Sequence, residues 1–220
     1  MNNEGGEEGS KSKNSIQSQE VLFGSESWTI MNIMMRGFKK SLNLMEHSET
    51  NISEDHFITK NVYYLYPKNK KDFNLSKFID HAPNVFFKIR KADGITNESF
   101  LKSIGPESLT SEILRGRLKT MTKMGSTGKS GSFFFYTNDK NYLIKTIKSW
   151  EFNVFWKMLP AYYKHLKDHP DTLICRIYGL HRIQNFAMGS CMKYKEYNEV
   201  CVVVMKNIFN TDREIGITYD

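Results

Sequence analysis

The residues best suited to chemistry form a run of glycine and serine around one lysine, GSTGKSGS at positions 125–132. Glycines let a backbone approach an anion closely and turn its N–H groups toward phosphate oxygens. The serine hydroxyls add hydrogen-bond donors, and Lys129 adds a mobile positive charge. The run therefore suits a phosphate-binding loop, although a Gly/Ser segment of this length is also typical of a plain flexible connection.

A second lysine follows on a predicted hairpin. The segments 132–137 and 142–147 are dense in aromatic and β-branched residues and flank four polar residues, which predicts two strands joined by a turn. Lys145 then shares a strand face with Leu143 and Ile147. Its ammonium either stands in water at a sheet edge or turns into a cleft with an anionic partner. In the second case it could reach phosphates held by the loop, as a strand lysine does in kinase-type folds.

Two other motifs in the sequence fit their patterns incompletely. The letters GKS at 128–130 fit the end of a Walker loop, but the first glycine of that motif would fall at Lys123, and a strand rather than a helix is predicted to follow. His165 and His169 are four residues apart, yet the residues between them lack the glutamate of a zinc-binding helix, so surface or packing histidines are expected. Asp168, Asp171 and Asp212 fit no metal-binding pattern.

Composition narrows the class of partner. The chain has 220 residues and a formal net charge of +7, and such a cationic surface attracts anionic lipid headgroups, nucleic acid or nucleotides. Charge runs are also typical of a solvated surface. A specific nucleic-acid-binding protein is disfavoured because no recognition helix or stacking platform is visible. Three cysteines without a CxxC pair predict a reduced, intracellular protein, and neither a membrane helix nor a secretory signal is expected.

Hydrophobic periodicity predicts the elements of the first half. The polar residues 1–24 are expected to be disordered, and 28–44 to form an amphipathic helix. A short strand is predicted at 84–90, followed by a turn at Asp93-Gly94. A helix is predicted over 99–118, interrupted at Gly105-Pro106.

The second half gives clearer signals. Apolar residues at helical spacing over 152–166 predict a helical region, which Pro160 is expected to divide into two helices. Strands are predicted at 174–183, 199–205 and 215–219. Both faces of 199–205 are apolar, so this strand is expected to be central. The fold class is therefore α+β, a mostly antiparallel sheet with packed helices.

At this level of detail the sequence resembles one family. The run GKSGSFFFYTNDKNYLIKTIKSWE (128–151) is similar to the glycine-rich loop, hairpin and lysine strand of phosphatidylinositol phosphate kinases. The family's helix and the strand after it are similar to 158–183. Its strand into the hinge is similar to 202–209, and the start of its "YDLKGS" segment is similar to 215–220. Weaker similarity lies in 30–42 and 85–104, so that the resemblance covers most of 28–220.

The resemblance implies a kinase-like amino-terminal lobe over 25–220, after a disordered tail at 1–24. It also implies roles for individual residues. Those that would bind the ATP phosphates are Gly128, Ser130, Gly131, Ser132 and Lys145. Glu151 would pair with Lys145 and fix its position, although a glutamate at a helix start is equally typical of a cap. Met205 and Asn207 would line the hinge beside the adenine, with Lys206 standing where the family has asparagine.

The implied reaction transfers the γ-phosphate of ATP to an inositol hydroxyl of a phosphatidylinositol phosphate. The resemblance implies phosphatidylinositol 4-phosphate as the substrate and the 4,5-bisphosphate as the product. The carboxylates that hold Mg²⁺ and orient the hydroxyl are expected in a carboxy-terminal lobe, so this chain alone is expected to be inactive. The expected location is cytoplasmic, peripheral at the cytosolic face of membranes, with ATP, a phosphoinositide and the anionic membrane surface as partners. The alternative is a non-catalytic module that binds anionic membrane or a partner kinase.

Overall fold

A computed structural model of the chain describes residues 18–20, 26–44, 51–66, 75–106, 108, 121–124, 134–186 and 199–213. Its strands are β1 (Ser18–Glu20), β2 (Lys60–Leu65), β3 (Leu75–His81), β4 (Met121–Met124), β5 (Phe134–Thr137), β6 (Tyr142–Ile147), β7 (Ile177–Phe186) and β8 (Glu199–Lys206). Its helices are α1 (Glu26–Leu44), α2 (Glu54–Ile58), α3 (Pro83–Ala92), α4 (Asn97–Ile104) and α5 (Ser149–Asp168).

The eight strands form one sheet in the order β1-β4-β5-β6-β8-β7-β3-β2, and every neighbouring pair is antiparallel. Because helices pack on this sheet, the predicted α+β class is confirmed. The β5–β6 hairpin is also where the sequence placed it. β8 lies between β6 and β7, and both of its faces are buried, with Val202 and Val204 on one and Cys201 and Val203 on the other. The prediction of a central strand is therefore confirmed.

Helices cover the two faces of the sheet in different ways. On the first face, Phe38 of α1 contacts the rings of Phe78 and His181, and Phe100 of α4 contacts Tyr142. The buried residues of α1 recur at helical spacing, which confirms the amphipathic helix predicted for 28–44. On the second face, α5 places Phe152 against His81 and Arg182.

The segment predicted as a strand at 84–90 is instead the helix α3, so that prediction was wrong. Pro83 occupies the first turn, where its fixed φ favours a helix and its missing N–H costs nothing. One face of the helix is then buried through Val85, Phe86 and Ile89. Over only seven residues, the spacing of these apolar residues does not distinguish a helix from a strand. The turn after it is confirmed, since Gly94 has a φ of 72°.

Pro160 does not divide α5, which runs unbroken from Ser149 to Asp168. Proline removes one backbone hydrogen bond, but Phe155, Leu159 and Tyr162 on either side of it are buried against the sheet. Packing of these three side chains offsets the lost bond, so the prediction of two helices was wrong. The interruption predicted at Gly105-Pro106 agrees with the end of α4 at Ile104, where Gly105 caps the helix.

The predicted disordered tail is wrong for Ser18–Glu20, which pair with β4 as an antiparallel strand. A polar strand can form there because backbone hydrogen bonds to an existing sheet edge do not depend on apolar side chains. The remainder of 1–24, the strand predicted at 215–219 and most of the helix predicted over 105–118 lie outside the described residues.

Candidate functional site

Lys145 lies on β6, directly opposite Phe134 of β5 on one side and Val203 of β8 on the other. The residue is partly buried, and its ammonium stands 5.4 Å from the centre of the Phe134 ring. Among the residues that the structure describes, no carboxylate forms an ion pair with it. The lysine therefore presents a positive charge beside an aromatic ring rather than standing free in water.

An apolar patch surrounds this lysine on the same face of the sheet. The register places Tyr136 of β5 opposite Leu143 of β6, and Leu143 opposite Met205 of β8. These side chains are only partly buried, whereas Ile144, which points to the other face, is fully buried. We call Phe134, Tyr136, Leu143, Lys145 and Met205 the lysine patch.

The side chains of the lysine patch are only partly buried, and among the described helices α5 packs on the same face of the sheet. The helix begins beside β8, where Ser149 Oγ lies 3.9 Å from Cys201 Sγ. Nearer its carboxyl end it passes the start of β7, where the Tyr162 hydroxyl accepts a hydrogen bond from the Ile177 N–H at 2.8 Å. Midway, Trp156 packs beside His81 of β3 and donates to the Phe57 carbonyl at 2.8 Å. α5 thus packs over β8, β7 and β3, while the side chains of Phe134, Tyr136, Leu143 and Lys145 on β5 and β6 remain partly buried.

Glu151 lies in the first turn of α5. Its Oε2 accepts a hydrogen bond of 2.7 Å from the Lys148 backbone N–H, which is the geometry of a helix cap. No ion pair joins Glu151 to Lys145 within the described part of the chain. The structure therefore shows Glu151 in the second of the two roles that the sequence left open.

Met205 and Asn207 are placed differently from each other. Met205 contributes to the lysine patch, at the end of β8. The Asn207 side chain is buried and fully engaged with the protein: Nδ2 donates to the Lys140 carbonyl at 2.7 Å, and Oδ1 accepts from the Phe209 N–H at 3.1 Å. Gly128, Ser130, Gly131 and Ser132 lie outside the described residues.

The sequence reasoning missed a polar cluster at the β5–β6 turn. We call Asp139, Asn141, Asn207 and Asn210 the turn cluster. Asn141 Nδ2 donates to Asp139 at 2.9 Å, and its Oδ1 accepts from Asn210 Nδ2, also at 2.9 Å. The turn-forming residue types around 138–141 were visible in sequence, but nothing local indicated that residues after β8 would bind to them.

Asp139 is held as a carboxylate. Burial by itself would raise its pKa, but hydrogen bonds from Ser103, Thr137 and Asn141 outweigh burial and lower the pKa. The Thr137 hydroxyl donates at 2.6 Å, and the Ser103 hydroxyl of α4 donates to the other oxygen. Asp139 therefore connects α4 to the hairpin turn.

No three side chains of the metal-ligating types His, Cys, Asp and Glu come together as a possible metal site among the described residues. His165 instead hydrogen-bonds Thr172 at 2.9 Å. None of the helices that the structure describes is long and apolar enough to cross a lipid bilayer.

Comparison with known proteins gives a consistent answer. Residues 116–220 match the sequence model of the family described as phosphatidylinositol-4-phosphate 5-kinase. A phosphatidylinositol 4-phosphate 5-kinase of Plasmodium falciparum is 36% identical over 200 residues, which are 91% of this chain and 11% of that protein. The its3 phosphatidylinositol 4-phosphate 5-kinase of Schizosaccharomyces pombe is 35% identical over 156 residues, 71% of this chain and 18% of that protein.

A third relative, a probable phosphatidylinositol phosphate kinase of Dictyostelium discoideum, is 25% identical over 232 residues, which are 94% of this chain and 30% of that protein. The α+β sheet with its packed helices is that of a kinase-like lobe. The chain belongs to the phosphatidylinositol phosphate kinase family, a family of lipid kinases. It spans between 11% and 30% of the length of these three relatives.

Proposed function

We propose that this chain forms the ATP-binding lobe of a phosphatidylinositol phosphate kinase. The observation that carries the proposal is the lysine patch, in which one ammonium without a carboxylate partner among the described residues lies beside a partly buried apolar surface. In this proposal the adenine packs on Leu143 and Met205, and Lys145 binds the phosphates. Gly128, Ser130, Gly131 and Ser132 supply backbone and hydroxyl donors, as their types indicate.

The surroundings of Lys145 favour this role. A positive charge flanked by Phe134 and Val203 is less screened by water than one on an open surface, so its attraction to phosphate is stronger. Fixed charges of this kind stabilise the negative charge that develops during phosphoryl transfer without having to reorganise. Ser132, the last residue of the glycine-rich run, precedes Phe134 by only two residues, which keeps the proposed loop and Lys145 at the same end of the hairpin.

The proposed reaction follows the printed names of the relatives: the γ-phosphate of ATP passes to an inositol hydroxyl of phosphatidylinositol 4-phosphate, at the surface of an anionic membrane. Kinase chemistry requires a divalent metal, for which we propose Mg²⁺. The described residues offer no set of acids that fits Mg²⁺, so the proposal assigns its ligands to other residues of the kinase domain. The 220 residues alone are accordingly expected to bind nucleotide without turnover.

Lys145→Met tests the proposal. Because the substitution keeps the length of the side chain but removes its charge, we expect ATP affinity, measured by calorimetry, to fall about tenfold or more. Lys148→Met, at an exposed position just after the same strand, is the matched control and should keep wild-type affinity. In a protein that joins this chain to a second lobe, Lys145→Met should also abolish phosphorylation of phosphatidylinositol 4-phosphate vesicles.

Unchanged ATP affinity in a folded Lys145→Met variant would remove this lysine from the site. A wild-type chain that binds such vesicles but not ATP would favour a non-catalytic membrane-binding module.

A further inference from the structure

The chain that leaves β8 is held against the lysine strand by the turn cluster. We infer that the turn cluster positions this segment for the base of the nucleotide, so that Asn207 sets affinity for adenine without touching it. The inference rests on the proposed function, because it assigns a residue to the same site. It differs from the role the sequence suggested, in which Asn207 itself contacts the nucleotide.

Asn207 joins the end of β8 to the β5–β6 turn through two bonds. Its backbone N–H donates to the Asn141 carbonyl at 3.0 Å, which extends the β6–β8 ladder by one position. Its Nδ2 donates to the Lys140 carbonyl at 2.7 Å. With an exposed fraction of only 6%, the side chain is shielded from water that could replace these bonds.

The same residue also turns the chain. Asn207 Oδ1 accepts from the Phe209 N–H at 3.1 Å, and its carbonyl accepts from the Asn210 N–H at 3.3 Å. Asn210 then returns to the turn, where its Nδ2 donates to Asn141 Oδ1 at 2.9 Å. Residues 207–210 are thereby fixed in a tight reversal beside the hairpin rather than continuing outward from β8.

The turn itself is rigid enough to serve as an anchor. Lys140 adopts a left-handed conformation with a φ of 57°, and the Asp139 carboxylate accepts bonds from Thr137, Ser103 and both nitrogens of Asn141. A side-chain network with this many partners limits local opening. The position of the 207–210 reversal is therefore tied to β6 and, through Ser103, to α4.

In this proposal, separate parts of the site bind the phosphates and the base of the nucleotide. Phosphates bind at Lys145, which the β-ladders hold, four residues along β6 from Asn141. In this proposal the base packs near Leu143 and Met205, and the polar contact to its edge comes from the chain that continues from Met205. Loss of the Asn207 bonds would move that chain while leaving Lys145 in place. Affinity for the base should then fall, and affinity for phosphate should not.

Asn207→Asp tests this division. The substitution keeps Oδ1 but places a carboxylate oxygen against the Lys140 carbonyl, so the bond is replaced by repulsion. We expect ATP affinity to fall about tenfold, while affinity for inorganic tripolyphosphate stays within about twofold of the wild-type value because its Lys145 contact remains. Both affinities are measured by calorimetry on the 220-residue chain, together with the thermal unfolding midpoint. Asn153→Asp, the same change at an exposed position of α5, is the control and should alter neither affinity.

Asn210→Ala provides a milder variant, since it removes only the 2.9 Å bond to Asn141 from an exposed side chain. It should weaken ATP binding about threefold with tripolyphosphate unchanged, and it decides the question if Asn207→Asp does not fold. Equal loss of both ligands, or no loss of ATP affinity, overturns the positioning role while leaving the proposed function intact. A wild-type chain that binds neither ligand overturns both.

Discussion

His81 is a titratable residue inside the core, between the sheet and α5. Its ring contacts Phe152 and Trp156, with both ring centres at 4.8 Å, and the residue is 2% exposed. Burial lowers the pKa of His81 to about 4. The neighbouring His181, Arg182 and Lys60 lower this pKa further, while the Asp80 carboxylate acts in the opposite direction. The imidazole is therefore held neutral in the folded chain at pH values where a free histidine is partly charged.

This histidine should make stability depend on pH. The unfolded chain takes up the proton near pH 6.5, but the folded chain does so only near pH 4, so the unfolded state binds more protons between these values. The free energy of unfolding should therefore fall as pH drops through this window, by about 3 kcal/mol at most from this residue. Urea denaturation at pH 7 and pH 4.5 measures the change.

His81→Phe should flatten this dependence, because the ring contacts remain and the titration is removed. Asp80 should leave some dependence of the unfolding free energy on pH. Burial would raise the pKa of Asp80, but His181 and a hydrogen bond from Ser41 lower it. A group whose pKa is lowered in the folded chain also loses stabilising free energy as pH falls. Replacement of the exposed His169 by Gln is the control. Identical pH slopes in His81→Phe and the wild type would contradict the assignment.

At the scale of elements, α1 approaches β3 unusually closely at Gly37. A Cβ built on this glycine would lie 2.3 Å from two atoms of the Phe78 ring, which is itself fully buried between Phe38 and His181. The ring has no room to move aside. The glycine is therefore required by helix-to-sheet packing rather than by backbone conformation.

Gly37→Ala should destabilise the chain by about 1–3 kcal/mol, the usual cost of overpacking a core. The sign of the change in unfolding free energy distinguishes packing from helix propensity. Alanine is more favourable in a helix than glycine by about 1 kcal/mol, so helix propensity alone would make the variant more stable. Denaturant unfolding measures the difference, with Asn43→Ala at an exposed position of the same helix as the reference. A stabilised Gly37→Ala variant would show that α1 can shift away from β3.

Elements were predictable from sequence where a single local signal decided them. The β5–β6 hairpin has a polar turn between two β-rich segments, and α1 has apolar residues at one helical spacing. α3 and α5 were mispredicted because tertiary burial overrode the local signals. In α5, burial of Phe155, Leu159 and Tyr162 compensates for Pro160. In α3, the segment is too short for its apolar spacing to distinguish a helix from a strand, and burial of one helical face favours the helix.

At the scale of the whole molecule, charge should control binding to membranes. The net charge of +7 includes Lys68, Lys70 and Lys71, between β2 and β3. If these lysines face an anionic bilayer, replacing all three by glutamate should reduce binding to phosphatidylserine vesicles by on the order of a hundredfold, since each lysine near the surface contributes about 1 kcal/mol.

Sedimentation with vesicles at low and high salt measures this binding, which should weaken with salt in the wild type. The same replacement of Lys157, Lys164 and Lys167 on α5 is the matched control. Vesicle binding that is unchanged by reversal at 68–71 would place the membrane-facing surface elsewhere.

The sequence by itself determined the central strand, the hairpin and the position of Lys145 on its return strand, because each of these is encoded within a few consecutive residues. It indicated the family through an ordered series of motifs spread over most of 28–220. Only the structure decided between the two roles of Glu151, which caps its own helix, and only the tertiary structure showed that the Asn207 side chain binds a turn 67 residues before it. The Asn207 contact depends on β8 lying beside β6 although β7 intervenes along the chain. Contacts between strands distant in sequence leave no local periodicity from which they could be derived.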